Sequence, residues 1–176
     1  MKIKEIEINK LETERLILIP FTQDICENIL YNDYELLYEQ GYKRGKGWPD
    51  LDVMDTIPKI IGKLSINDYV TGFESWLIIK KDTREIIGDV GFKGYNFEFQ
   101  NVDIGYGIIT EERGKGFAQE ASRELIRWAF SQEIVREITA KCFSDNVESI
   151  NLLKKLGFSP IYENEDVIDW SLKMSE

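Results

Sequence analysis

The 176-residue sequence predicts an α/β (α+β) fold, a mixed, mostly antiparallel sheet flanked by helices, in one domain spanning 1–176. Three features predict it. Apolar residues recur at helical spacing in two long segments and two shorter ones. Between them lie three short β-type runs joined by tight connections, the pattern of an antiparallel meander. The chain then closes on a strand–helix–strand unit with a final strand after it.

Taken in order, Leu16–Ile19 is an apolar run stopped by Pro20 and reads as a strand. Thr22 and Asp24 cap a helix through Ile25, Ile29 and Leu30 that continues past Asn32-Asp33 into Leu36-Leu37. Residues 41–50 are a glycine-rich loop, in which Lys43, Arg44 and Lys46 either touch a phosphate or are simply solvated. A second helix runs from about Asp52 to Asp68, with Val53, Ile57, Ile60, Ile61 and Leu64 on one face. Trp76–Ile79 is a strand, Lys81–Arg84 a hairpin turn, Glu85–Tyr95 a second strand interrupted by Gly88 and Gly91, and Val102–Ile109 a third. An amphipathic helix follows from about Lys115 to Ser131. Ile134–Cys142 is a strand, Val147–Leu156 a helix closed by Gly157, and Phe158–Tyr162 and Val167–Met174 are the last strands.

Composition excludes much chemistry. There is no histidine, so no Ser-His-Asp or Cys-His triad and no His-ligated zinc or haem. Two cysteines, Cys26 and Cys142, make neither a four-thiolate metal site nor a disulfide framework, so no metal is expected. With 22 Lys+Arg against 32 Asp+Glu, the net charge of −10 argues against a nucleic-acid partner. No apolar run approaches the about 20 residues of a membrane span, and Met1–Glu7 alternates charge with Ile, unlike a signal peptide. A cytoplasmic location is the expectation.

The chemically loudest segment is Ile108–Ala118. A strand ends, a turn carries Arg113, Gly114, Lys115 and Gly116, and a helix opens at Phe117-Ala118. Such a junction aims unpaired amides and the positive end of a helix dipole at one spot, which suits a phosphate. Local composition alone leaves a second reading, a helix start that happens to be glycine-rich. The turn is neither a P-loop nor a GxGxxG fingerprint. In the preceding strand Asp103, Gly105 and Gly107 share one face; two mid-strand glycines mark either a ligand's close approach or tight packing.

The R-x-x-G-x-A signature at Arg113–Ala118 resembles the acetyl-CoA-binding motif of the GNAT N-acetyltransferases. Leu11–Leu18 is similar to the opening of the branch that acetylates ribosomal-protein N-termini. Asn146–Ser149 with Lys155–Phe158 resembles that branch's second cofactor motif. The resemblance covers roughly residues 11–174 and implies a sheet splayed between two central strands with pantetheine in the gap. It implies that Tyr106, Gly107 and Ile108 pair with pantetheine, that the amides of Arg113–Ala118 hold the pyrophosphate, and that Asn146 bonds the pantetheine arm. Ser149 and Asp103 are the implied acid and base, each with a plainer alternative: helix capping for Ser149, a paired strand carboxylate for Asp103. The family's tyrosine acid is absent, because its position is Leu153. Trp76, Phe92, Tyr95 and Tyr106 line an acceptor pocket or fill the core; Trp76 and Tyr95 are the substrate-side candidates.

The expected activity is acetyl transfer from acetyl-CoA to a primary amine by direct attack in a ternary complex, since no nucleophile for a covalent intermediate is evident. The acceptor is expected to be a protein or peptide α-amine. The alternatives are a small-molecule amine, and a non-catalytic acyl-CoA-binding module. Relatives are often homodimers, though no feature of this sequence demands one.

Overall fold

The computed structural model describes residues 10–67 and 69–175. The alternating segment Met1–Glu7, and Asp68 at the expected end of the second helix, lie outside the described residues. In chain order the elements are β1 (Leu11–Glu12), β2 (Leu16–Pro20), α1 (Gln23–Leu30), α2 (Glu35–Glu39), β3 (Lys43–Arg44), α3 (Leu51–Leu64), β4 (Ser75–Lys80), β5 (Glu85–Asn96), β6 (Asn101–Ile108), α4 (Phe117–Ser131), β7 (Glu137–Phe143), α5 (Val147–Lys155), β8 (Ser159–Glu163) and β9 (Val167–Lys173). The strands form one sheet, ordered β1-β2-β4-β5-β6-β7-β9-β8, with β3 set against the start of β5. Two contacts are parallel, β3 with β5 and β6 with β7; the others are antiparallel.

Parity along the strands assigns the helices to faces. Trp76 pairs with Val90, which pairs with Tyr106, and the Trp76 ring lies 5.6 Å from Trp128 of α4. That face belongs to α4, and α5 joins it where Arg123 reaches the carbonyl of Lys155. One residue further along, Leu77, Asp89 and Gly107 face the other way, towards α3, which packs beside α1. Leu16–Ile19 and Trp76–Ile79, covered on both faces, are buried throughout and therefore read as continuous apolar runs rather than alternating ones. In β7 only Ile138, Ala140 and Cys142 are buried, so that half of the sheet is covered on one face.

Four elements differ from expectation. The first helix breaks, because Asn32 adopts a left-handed φ of 57° and Asp33 turns its carboxylate onto the amide of Glu35. Asn and Asp tolerate and stabilise such a turn where β-branched residues do not. The second helix is capped by Asp50, which accepts the Val53 amide at 3.0 Å, and ends at Leu64. The loop of residues 41–50 contains β3: Gly45 donates its amide to Ile86, and a Cβ on it would stand 2.5 Å from that carbonyl oxygen. The strand expected from Ile134 begins at Glu137, because Glu133, with φ 61°, turns the chain first.

The same reasoning separates the strand glycines. A Cβ at Gly91 would meet Ser75 Cα at 2.4 Å and Glu74 O at 2.6 Å, whereas at Gly105 nothing lies within 4 Å. Gly91→Ala should cost about 3 kcal/mol and lower the melting midpoint by roughly 6–12 °C. Gly105→Ala should stay within about 0.5 kcal/mol of wild type. Equal midpoints for the two variants would contradict this packing.

Candidate active site

β6 and β7 pair over only three positions, Asn101–Asp103 against Glu137–Thr139. β6 nevertheless runs on to Ile108 and β7 to Phe143, where it follows β9 over its whole length. The two strands therefore part beyond Asp103 and leave one edge of residues 104–108 without a strand partner among the described residues. The amide of Ile109 donates to Ile87 on β5, so alternation turns the amides of Tyr106 and Ile108 towards the gap and that of Gly107 towards β5. The Tyr106 side chain spans the gap. Burial raises its phenol above the ordinary value, and the proximity of Ser149, in the first turn of α5, works the other way.

The glycine turn closes one end of the gap. A 3₁₀ turn at Thr110–Glu112 leads to Arg113, whose Nε donates to the Ile108 carbonyl at 2.9 Å. Gly114 and Gly116 have φ of 74° and 82°, the left-handed region that glycine enters without strain. Helix α4 thus starts at Phe117 rather than Lys115, and its cap, Gly116, has no side chain to satisfy the first-turn amides. A Cβ on Gly114 would meet nothing within 4 Å, and one on Gly116 would meet only Arg15 Nη2, at 3.4 Å. Gly116 borders a groove of about 460 Å³ lined by Arg15, Gln119 and Arg123 together with the carboxylates of Glu14, Glu120 and Glu124. Lys115 is paired with Glu112 at 2.9 Å, so amides and helix dipole, more than side-chain cations, are what this turn offers an anion.

A second set of contacts holds the turn in place. Glu120 accepts Thr13 Oγ1 at 2.5 Å, the Arg15 amide at 2.9 Å and Arg15 Nε at 2.6 Å. Arg15 Nη1 donates to the carbonyl of Lys115 at 3.0 Å, and its guanidinium lies 4.5 Å from the centre of the Phe117 ring. Burial opposes ionisation of Glu120, but the bonds from Thr13 and Arg15 and the Arg15 charge outweigh it and hold the carboxyl below the usual range. Reading the sequence did not find this clamp. The Thr13–Arg15 motif was visible, but its partner lies 105 residues away.

The remaining expected residues are distributed as follows. Asn146 caps α5, its Oδ1 accepting the Ser149 amide at 3.0 Å, so Asn146 and Ser149 stand together on the far wall of the gap. Ala118 lies in the first turn of α4. Asp103 has both oxygens engaged, one by Lys93 at 2.5 Å and the other by Thr139 at 2.9 Å, and stands four residues, about 13 Å, along the strand from Gly107. Leu153 is buried in the core. Trp76 and Tyr95 are not brought to the gap. Trp76 is fully buried with its indole N–H on Gly72 O, and Tyr95 packs on Phe73 and Phe97 with its hydroxyl on Ile134 O. Both cysteines are free and buried, and burial pushes the Cys26 thiol up to about 12.

One further carboxylate lies beside the gap. Asp89 is the polar residue in the apolar run Ile86–Val90, a signal present in the sequence but not used. It pairs across the strands with Gly107, and its Oδ1 is 3.7 Å from the point a Gly107 Cβ would occupy. Asp89 is only partly shielded from solvent, yet protein surrounds its carboxyl. That burial, with the charges of Asp50 and Asp52 added, pushes it up to about 7. Among the described residues no group of three or more Cys, Asp or Glu side chains is arranged to hold a metal ion.

Comparison with known proteins assigns a family to this sheet parted beside an uncapped glycine turn. Residues 15–159 match the acetyltransferase (GNAT) domain family. The Bacillus subtilis N-acetyltransferase YjdG is 37% identical over 160 residues, 91% of this chain and 95% of that protein. The ribosomal-protein-S5-alanine acetyltransferase of Vibrio fischeri superposes with a TM-score of 0.65 at 21% identity, over 93% of this chain and 96% of its own. The microcin C7 self-immunity acetyltransferase MccE, in a complex with acetyl-CoA and AMP, superposes with a TM-score of 0.64 at 18% identity, over 92% of this chain and 94% of its own. The chain belongs to the GNAT acetyltransferase family and is an acetyl-CoA-dependent N-acetyltransferase. Among the described residues, no helix is long and apolar enough to cross a membrane.

The clamp on α4 is open to test. Glu120 is ionised more readily in the folded chain than in the unfolded one, so its contribution is full above the unfolded value of about 4.3 and is lost as pH falls through the lower folded value. Glu120→Gln should cost about 2 kcal/mol at pH 7, and the deficit should close as the pH is lowered below 4. A pH-independent deficit in thermal melts would mean that packing, not charge, holds the turn.

Proposed function

We propose that the acceptor is a low-pKa primary amine, foremost the α-amine of a protein or peptide N-terminus, and that it attacks acetyl-CoA directly in a ternary complex. The observation that carries this reading is the parted edge of β6 ending at an uncapped turn. The residues fit acetyl-CoA. The free amides of Tyr106 and Ile108 suit an extended pantetheine arm, Gly107 adds no side chain there, and the amides of Gly114–Ala118 suit a pyrophosphate. The groove beyond Gly116, which any Cβ would narrow, has room for it. When bound, acetyl-CoA supplies the acetyl group as a thioester.

The chain's own residues do the rest. The Ile108 amide, aimed into the gap, stabilises negative charge on the carbonyl oxygen under attack. Ser149, whose amide is held by the Asn146 cap and which lies near the Tyr106 phenol, gives a proton to the departing sulfur. Asn146 keeps its amide nitrogen for the pantetheine arm while its oxygen caps the helix. Asp103, with both oxygens engaged, anchors the last paired position of β6 and β7 rather than taking a proton.

The acceptor class follows from proton energetics. Freeing an α-amine near pKa 8 at pH 7 costs about 1 kcal/mol, and an alkylamine near 10.4 about 4–5 kcal/mol. No histidine is available to meet the larger cost. A small cationic amine is the second reading, favoured by the Asp50, Asp52 and Asp89 charges on the α3 side of the sheet.

Acetyl-CoA at about 100 times its Kd should raise the melting midpoint by roughly 5–10 °C. Gly116→Trp should fold and lose that response, because the indole fills the groove beside Arg15. A folded wild type unmoved by millimolar acetyl-CoA would end the cofactor assignment. At pH 7 a peptide with a free N-terminal alanine should be acetylated faster than spermidine; the reverse order would move the acceptor to the small-amine class.

A further inference from the structure

A proton leaves the acceptor amine on every turnover, and the carboxylates nearest the turn are already committed. Glu111 lies 3.7 Å from Lys46, Glu112 is held by Lys80 and Lys115, Glu120 by Thr13 and Arg15, and Asp103 by Lys93 and Thr139. Asp89 is different. No hydrogen bond or ion pair from the described residues engages its carboxyl. It stands over Gly107, a position with no side chain of its own, on the strand whose neighbouring amides face the gap.

We propose that Asp89 is the catalytic base, receiving the proton of the attacking amine at the open surface above Gly107. The proposal rests on the acetyltransferase reading. An ammonium acceptor approaching over Gly105 and Gly107 meets no side chain from either residue, since nothing lies within 4 Å of a Cβ on Gly105 and only Asp89 Oδ1 lies within 4 Å of one on Gly107. One proton passes from the amine nitrogen to an Asp89 oxygen. The nitrogen lone pair then forms the C–N bond as the C–S bond breaks. The nitrogen sheds its second proton to water as the amide forms, the sulfur leaves with the C–S bonding pair and takes a proton from Ser149, which water replenishes, and Asp89 returns its proton to solvent.

The surroundings suit the task. Burial first, and the charges of Asp50 and Asp52 second, bring the carboxyl up to about 7, close to the working pH where a general base is most effective. The charged groups facing it come from the start of α3: Asp50 at the cap and Asp52 in the first turn. On the strands, its neighbour on β4 is Leu77 and on β6 is Gly107; Lys93 and Asp103, further along, are paired with each other. A base near 7 takes a proton from an α-amine near 8 with little loss and from an alkylamine near 10.4 with much more, which agrees with the acceptor proposed above.

The test compares wild type, Asp89→Asn and Asp89→Glu, with acetyl-CoA and the N-terminal alanine peptide as probes. Asp89→Asn should lower kcat by about 10²-fold at pH 7, with the deficit shrinking above about pH 8, where the amine is already neutral. Asp89→Glu should recover part of the activity, and both variants should keep the thermal response to acetyl-CoA. A second readout needs no acceptor. With a folded value near 7 and an unfolded one near 3.9, Asp89 has no effect on stability when both states are protonated, and it destabilises the fold increasingly between about pH 4 and 7. The midpoint of Asp89→Asn relative to wild type should therefore be higher by several degrees at pH 8 than at pH 4.5. Wild-type kcat and an unchanged pH profile in Asp89→Asn, or a midpoint difference flat with pH, would overturn the assignment. A wild type that binds no acetyl-CoA, or acetylates neither the peptide nor spermidine, would instead bring down the acetyltransferase reading and this role with it.

Discussion

The parting of β6 from β7 is the constraint on which the rest of the molecule depends. A sheet normally satisfies every interior backbone group with a neighbouring strand. Here β7 commits its full length to β9 and only its first three residues to β6. One edge of residues 104–108 consequently has no strand partner among the described residues, the kind of edge to which an extended ligand can add by backbone pairing. The splay also leaves α4 and α5 to bound the gap, and explains why Tyr106 and Ser149 meet across it.

Keeping that gap useful requires fixing the turn at its end. Two left-handed glycines let the chain swing from strand to helix with its amides outward, but they also make the backbone there entropically loose. The contacts of Thr13 and Arg15 with Glu120, and of Arg15 with the Lys115 carbonyl, restore the order from the other end of the chain. The arrangement places a cation beside the groove while tying it to a carboxylate, so the clamp organises the anion site without depending on a free surface charge.

The two faces of the sheet have separate duties. On the α4 side Trp76, Trp128 and Phe73 fill the core. On the α3 side the strap formed by β3, pressed against β5 through Gly45, delivers Asp50 and Asp52 to the neighbourhood of Asp89. Residues 41–50 matched no motif, and their role is visible only in this packing. Asp50 at their end adds its charge to the burial that raises a carboxylate belonging to a different element.

Much of the fold was legible because local rules agree with one another. The buried runs Leu16–Ile19 and Trp76–Ile79, the Lys81–Arg84 hairpin and the glycine-opened helix were each specified within a few residues, and so was the likeness of Arg113–Ala118 to a cofactor motif. The broken first helix was less legible, since Asn32 and Asp33 suit both a helix and a turn until Asp33 binds the Glu35 amide. The assignments that depended on long-range geometry were decided only in three dimensions. Trp76 and Tyr95 were taken up by the core, and Asp103 by Lys93 and Thr139. Asp89 stands out through its position across from Gly107, 18 residues further along the chain. By itself the sequence determined most of the secondary structure, the glycine turn at Arg113–Ala118 and the exclusion of histidine chemistry, because these depend on neighbours close in the chain. Tertiary structure decided that Asp103 is paired while Asp89, among the described residues, stands unpaired beside the gap, because burial and pairing come from residues that only folding brings together.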